Sequence, residues 1–319
     1  MAGKYRRLID AVKAGDTDEV RAMIARGAKV NVKYKYDWTA LHAAAVQRNA
    51  DIVRMLIEAK TDLDAKDKNG NTALHEAVTS GNADGVQMLI DAGGDVDAKN
   101  HHGETALHRG AGWGEKKSIQ MLIDAGADVD AKDKNGITVL HKAAEFGDED
   151  VFRMLLDAGG DVYAESGGET TALMLAAKNG HAKCVQMLIN AGADVDATDY
   201  DGWTPLIWAG WIDDDEYEDC VQLLIDAGAD VDAKSDDGTT ALMLSAKNGH
   251  EECGRMLIDA GADVDAKNHH GETALMIAER YKRDGIIAML HEHEMHGDVK
   301  KAAGEKRKKS KTKTDTPSI

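Results

Sequence analysis

Residues 71–100 read NTALHEAVTSGNADGVQMLIDAGGDVDAKN, and the reading of this stretch decides the fold. Thr72 offers a hydroxyl that can cap a helix by satisfying a free first-turn N–H. Ala73 to Val78 then reads as a short helix, with small alanines that let a neighbour pack close. Ser80-Gly81-Asn82 interrupts it, and Asn82 can cap a second helix. There Val86, Leu89 and Ile90 fall at the i, i+3, i+4 spacing of a buried stripe. Gly93 ends that helix in the left-handed position that glycine tolerates best. Asp95-Val96-Asp97-Ala98 leads into a turn over 99–103 and the next threonine.

The unit recurs. Thr39, Thr72, Thr105, Thr138, Thr171, Thr204, Thr240 and Thr273 each open a TxL triplet, spaced 33 residues apart except for one step of 36. Self-similarity at a period of about 20–50 residues signals stacked supersecondary units. Each helix is shorter than the roughly 12–15 residues needed for marginal stability in water, so its apolar stripe must be covered by neighbouring pairs. Stability is then a sum of unit and nearest-neighbour contributions.

At these residues the chain resembles the ankyrin repeats. The resemblance rests on TALHEA at Thr72, TALHRG at Thr105, TVLHKA at Thr138, TPLIWA at Thr204, and DAGADVDA at Asp124, Asp226 and Asp259. It covers about residues 4–296 and, with an amino-terminal unit that lacks its finger, gives nine repeats. It implies an all-α solenoid of antiparallel helix pairs with β-hairpin fingers. It also implies protein–protein recognition along the fingers and the inner helix face, without catalysis. The domain is placed at 1–297, followed by a basic tail at 298–319 expected to be disordered. Four departures stand out. Only Pro205 keeps the proline after the threonine; His42, His75, His108 and His141 give way to Met174, Ile207, Met243 and Met276; Asp37 and Glu169 replace the finger glycine; and three extra residues lie near Asp213-Asp214-Asp215. The finger changes put the geometry of those two turns in question.

Acidic residues number 57 against 39 basic ones, for a net charge of −18. No long apolar run is present, so no membrane span is expected, and Met1 to Asp10 do not resemble a signal peptide. The expected setting is the cytoplasm, with nuclear entry through the tail as an alternative. Lys306-Arg307-Lys308-Lys309 reads as a solvated end, an import signal or an anionic contact. Cys184, Cys220 and Cys253 share one column with Ile52, Val151 and Ile286 and read as small core residues.

The motifs that could carry chemistry are weak. DLDAKDKNGNTALHE lacks a ligand at the first loop position, where Ala65 stands, so calcium is not expected. The four TxLH histidines lie one repeat apart, too far to share an ion, and are expected to bond within their own turns. His291, His293 and His296 fall short of HExxH because Met295 interrupts it. There is no phosphate-cradling glycine loop, no GxSxG and no cysteine pair at zinc spacing. No catalytic residue, metal or cofactor is expected. Gly110, Gly112 and Gly114 in one first helix, at about 1 kcal/mol each, suggest a locally soft unit. The resemblance further implies that Asp130 and Asp196, in DVD turns, are possible hydroxylation targets.

By the resemblance, contact residues fall just before the threonine and seven or eight residues after it. Those positions give Tyr34, Lys35, Tyr36 and Trp38; Trp113 and Phe146; and Tyr200, Asp201, Trp203 and Trp211, with Trp208 nearby. Exposed aromatics are favoured anchors at interfaces. The competing structural reading packs Trp208 between units and uses Phe146 to close a helix end. Asp213, Asp214, Asp215 and Glu216 favour a basic partner. The expectation is a monomeric scaffold that binds another protein. The rival is a structural subunit whose basic tail, the one place where nucleic acid is expected, contacts RNA or an acidic neighbour.

Overall fold

The computed structural model describes residues 2–211, 217–293 and 295. The acidic run Asp213–Glu216, His296 and the basic tail therefore lie outside the described residues. By contacts the chain forms two compact units, 1–176 with 186–193 and 177–185 with 194–319.

Helices alternate in pairs. The first helices in chain order are α1 (Ala2–Ala14), α3 (Ala40–Val46), α5 (Ala73–Thr79), α7 (Ala106–Trp113), α9 (Val139–Phe146), α11 (Ala172–Lys178), α13 (Pro205–Ala209), α15 (Ala241–Asn248) and α17 (Ala274–Tyr281). Their partners are α2 (Thr17–Ala25), α4 (Ala50–Glu58), α6 (Ala83–Asp91), α8 (Lys116–Asp124), α10 (Glu149–Asp157), α12 (Ala182–Asn190), α14 (Glu218–Asp226), α16 (Glu251–Asp259) and α18 (284–293). In the first unit α1, α3, α5, α7 and α9 stack in one layer and α2, α4, α6, α8 and α10 in another. In the second unit α13, α15 and α17 form one layer, and α14 packs on α16 in the other. This is the all-α arrangement of helix pairs expected from the period.

The stripe of α6 is Gly85, Val86 and Leu89, whereas Ile90 is only half-buried. The buried alanines Ala43, Ala44, Ala77, Ala143 and Ala144 line the first helices and allow their close approach. Asn82 caps α6 by accepting from Gly85 N–H at 3.0 Å, and its Nδ2 donates to Ala45 O of the preceding repeat at 2.9 Å. Gly110 is buried: a Cβ there would lie 2.9 Å from Ile119 Cγ1 and 3.2 Å from Val78 Cγ1. Gly114 lies outside α7 and caps it at φ 69. These two glycines thus serve packing and termination.

The fingers are tight turns more than hairpins. Among the described residues the β pairing is one isolated bridge, Glu165 with Thr171. Asp67 Oδ1 accepts from the Asn69 and Asn71 N–H groups, both at 2.8 Å, and so closes its turn. Each finger then bonds to the next: Lys68 N–H donates to Tyr36 O, His101 to Asn69 O and Lys134 to His102 O. Gly70 shows why glycine stands there, because at φ 80 its Cβ would fall 2.6 Å from His101 N. Asp37 and Glu169 nevertheless keep the left-handed turn, at φ 59 and 58. The geometry of those two fingers is preserved without glycine.

Two side-chain ladders run along the repeats. Asp64, Asp97 and Asp130 each accept, through Oδ1, the backbone N–H of Asp95, Asp128 and Asp161. In the second unit Asp196 and Asp232 do the same for Asp230 and Asp263. Lys33, Lys66 and Lys99 each send Nζ to the carbonyl of the lysine 33 residues on.

Candidate interaction surface

The four histidines are structural bridges. Thr39 N–H donates to His42 Nδ1 at 3.3 Å, so the ring proton sits on Nε2, which donates to Asn71 O of the next repeat at 3.0 Å. His75, His108 and His141 repeat this with Glu104 O, Ile137 O and Thr170 O. Each therefore bonds beyond its own turn, which is further than sequence spacing indicated. Burial pushes the imidazoles below their ordinary range, for His75 to about 4. Where histidine is lost, Met174 Sδ accepts the Thr171 N–H at 3.4 Å. Among the described residues the three cysteines are buried and none is in a disulfide, and burial pushes Cys220 up to about 12.

The candidate contact residues form three separate groups. On the first finger, Tyr34 N–H donates to Trp38 O at 2.7 Å, and Tyr36 sits at φ 63 with 58% of its surface exposed. Trp38 stacks on His42 with centroids 6.2 Å apart.

Trp113 and Phe146 close α7 and α9, each immediately before a left-handed glycine. They are 64% and 55% exposed. The Phe146 ring lies against α7, within 3.4 Å of where a Cβ on Gly112 would stand. Between the two helices is an open cleft of about 250 Å³, bordered by both rings, His108, Arg109, Lys142 and Glu104. Arg109 Nη1 lies 3.9 Å from Glu104 Oε2, and Lys142 Nζ lies 3.6 Å from Glu145 Oε2, so the rim is polar and charge-balanced.

The third group is a tryptophan cluster in the second unit. Trp203 lies 4.8 Å from Trp208 and 5.0 Å from Trp211, centroid to centroid. At such distances the rings touch, leaving no room for a guest between them. Trp208 Nε1 donates to Asp199 Oδ2 at 2.9 Å, and Lys178 lies 4.4 Å above its ring. Lys247 sits 5.2 Å from Trp211, whose carbonyl accepts from Asn248. Part of this cluster is thus internal packing, while Trp211 remains 44% exposed and Tyr200 77%. Sequence reasoning passed over Tyr163, which is 61% exposed. Its signal was the break from DVDA to DVYA in one repeat.

Among the described residues no helix is long and apolar enough to cross a membrane. The family profile described as Ankyrin repeats (3 copies) matches residues 8–100, 92–166, 140–235 and 211–301. A comparison with curated protein sequences gave no match. Among solved structures the chain is similar to the ankyrin repeat domain of Bcl-3, a member of the IkappaB protein family. The two share 34% identity with a TM-score of 0.59, over 70% of this chain and 99% of that one. Repeats of this kind are generally protein–protein interaction modules and typically non-enzymatic. On period, helix pairing and profile alike, the chain belongs to the ankyrin-repeat family.

Proposed function

We propose that the chain is a non-enzymatic scaffold that binds a partner protein segment across its first helices, anchored in the Trp113–Phe146 cleft. The observation that carries this is a contrast within one column. Eight residues after the opening threonine stand Gln47, Ser80, Asn179 and Asn248, so the fold itself does not require an aromatic there. Trp113 and Phe146 place large rings at the position in adjacent repeats of the first unit, as Tyr281 does in the last repeat, and all three rings are exposed; the adjacent pair borders one cleft. Aromatic anchors in a pocket with a polar rim are the usual composition of a binding hot spot. The net charge of −18 favours a basic partner by steering its approach. Trp211 and Tyr200 offer a separate contact group within the second unit.

The test is affinity capture from the source cell with the full chain, comparing wild type, Trp113→Ala with Phe146→Ala, and Trp203→Ala with Trp211→Ala. Loss of one protein from the first variant, with the fold intact by circular dichroism, supports the cleft. Equal capture by wild type and that variant rejects it. Retention of the protein by the first variant and loss from the second moves the site to the tryptophan cluster.

A further inference from the structure

The first finger carries a pattern the later fingers lack. Residues 33–38 read Lys-Tyr-Lys-Tyr-Asp-Trp, with cation and ring in alternation through Tyr36 and the anionic Asp37 before the last ring. The structure keeps them interleaved in space. Lys13 Nζ lies 5.9 Å from the ring centroids of both Tyr34 and Trp38. Lys35 and Lys68, from successive fingers, lie 4.8 Å and 5.8 Å from the Tyr36 ring. The turn presents that ring outward, and the Lys68 N–H to Tyr36 O bond of 2.9 Å fixes one finger against the next. Lys33 is set apart, because its Nζ is held by Lys66 O.

The charge of this end differs from that of the chain. Residues 1–38 contain nine Lys and Arg against five Asp and Glu, in a protein whose total is −18. The screening length is about 8 Å at physiological salt, so a ligand on the finger senses the local cations more than the acidic repeats beyond. A single lysine over a ring would be ordinary surface packing. Here an exposed tyrosine has ammonium groups of two different repeats 4.8 Å and 5.8 Å from its ring centroid, on a finger that also carries the Tyr34 and Trp38 rings with Lys13 near both. An acidic peptide would satisfy the ammonium groups and leave the exposed part of the ring without a partner. A strand of unpaired nucleotides uses both, since bases stack on aromatic faces while lysines meet phosphates.

We infer that the first finger is a stacking platform for single-stranded nucleic acid, with a base on Tyr36 and phosphates met by Lys35, Lys68 and Lys13. The site is distinct from the Trp113–Phe146 cleft, whereas the sequence alone placed any nucleic-acid contact on the basic tail.

The experiment is fluorescence anisotropy of a labelled oligouridylate of about 12 nucleotides, titrated with the full chain at several salt concentrations. Tyr36→Ala, Tyr36→Phe and the double variant Lys35→Gln with Lys68→Gln are compared with wild type, each checked for an unchanged thermal midpoint. Tyr36→Ala weakens binding about tenfold and Tyr36→Phe leaves it near wild type. The lysine pair flattens the slope of log affinity against log salt by about 1.4, roughly 0.7 for each phosphate of a single strand that is no longer neutralised. Three results would overturn the inference: no binding, binding that Tyr36→Ala and the lysine pair leave unchanged, and a poly-glutamate peptide bound with the same sensitivity to Tyr36→Ala. The last would assign the finger to an acidic protein segment. The lysine side chains are exposed, so their variant keeps the test informative even if Tyr36→Ala impairs folding.

Discussion

At the scale of single residues, histidine connects one repeat to the next. His75 accepts the Thr72 N–H at 3.2 Å and donates to Glu104 O at 3.1 Å, with its side chain buried. Truncation to alanine leaves the buried Thr72 N–H unpaired, at about 1–3 kcal/mol, while Glu104 O keeps the Asn100 N–H. His75→Ala is therefore expected to lower unfolding free energy by about 1–3 kcal/mol in denaturant titration. The same burial makes stability depend on pH. The folded pKa of His75, about 4, lies below its ordinary 6.5, so the unfolded chain takes up the proton first as pH falls. This contribution is complete above pH 6.5 and is lost progressively down to about 4. His42, His108 and His141 shift in the same direction and add to it. Thermal midpoints measured across that interval should fall with pH, and less steeply in a His75→Ala chain. A profile flat from pH 6.5 to 4 would contradict the argument.

At the scale of elements, caps and packed glycines decide which helices form. Asn82 is 4% exposed and holds both the start of α6 and the end of α3's repeat through Ala45 O. Asn82→Ala removes a cap worth about 1 kcal/mol and leaves Ala45 O with the Ser80 hydroxyl as its side-chain donor, so a loss of about 1–2 kcal/mol is expected in chemical unfolding. Gly110→Ala gains about 1 kcal/mol in helix propensity. It forces a methyl against Ile119 and Val78, an overpacking of about 1–3 kcal/mol. The expected net result is a modest loss of stability, and a gain would show that the site can relax. These two residues mark what the sequence made legible. Asn82 stood between two apolar runs and announced its cap. Gly110 looked like a weak point because its contacts come from Val78 and Ile119, in the preceding repeat and the following helix, and tertiary packing is not written locally. The same limit applies to the tryptophans. Trp211 is exposed as its position suggested, whereas Trp203 is half-buried, because the contact among Trp203, Trp208 and Trp211 depends on how three helix and turn positions converge. His42 and its equivalents were readable as turn residues, while their bond to the next repeat was not, since it joins groups 29 residues apart.

At the scale of the whole molecule, contacts remain between neighbouring repeats and the chain divides into two compact units. Protection against hydrogen exchange should then vary along the chain, because stability sums local contributions. Within the first unit, α5 and α7 have neighbours on both sides and should exchange more slowly than α1 and α2, and equal protection throughout would indicate one cooperative block instead. The same local construction frees the surface for recognition, since a ring at Trp113 or Phe146 can change without disturbing the core beneath it. The measurement that tests the central claim most directly is calorimetric titration of the captured partner into wild type and Trp113→Ala. Binding through the cleft predicts that the variant loses at least about 2 kcal/mol, a weakening of roughly thirtyfold, with its fold unchanged. An affinity equal to wild type would show that the partner is held elsewhere.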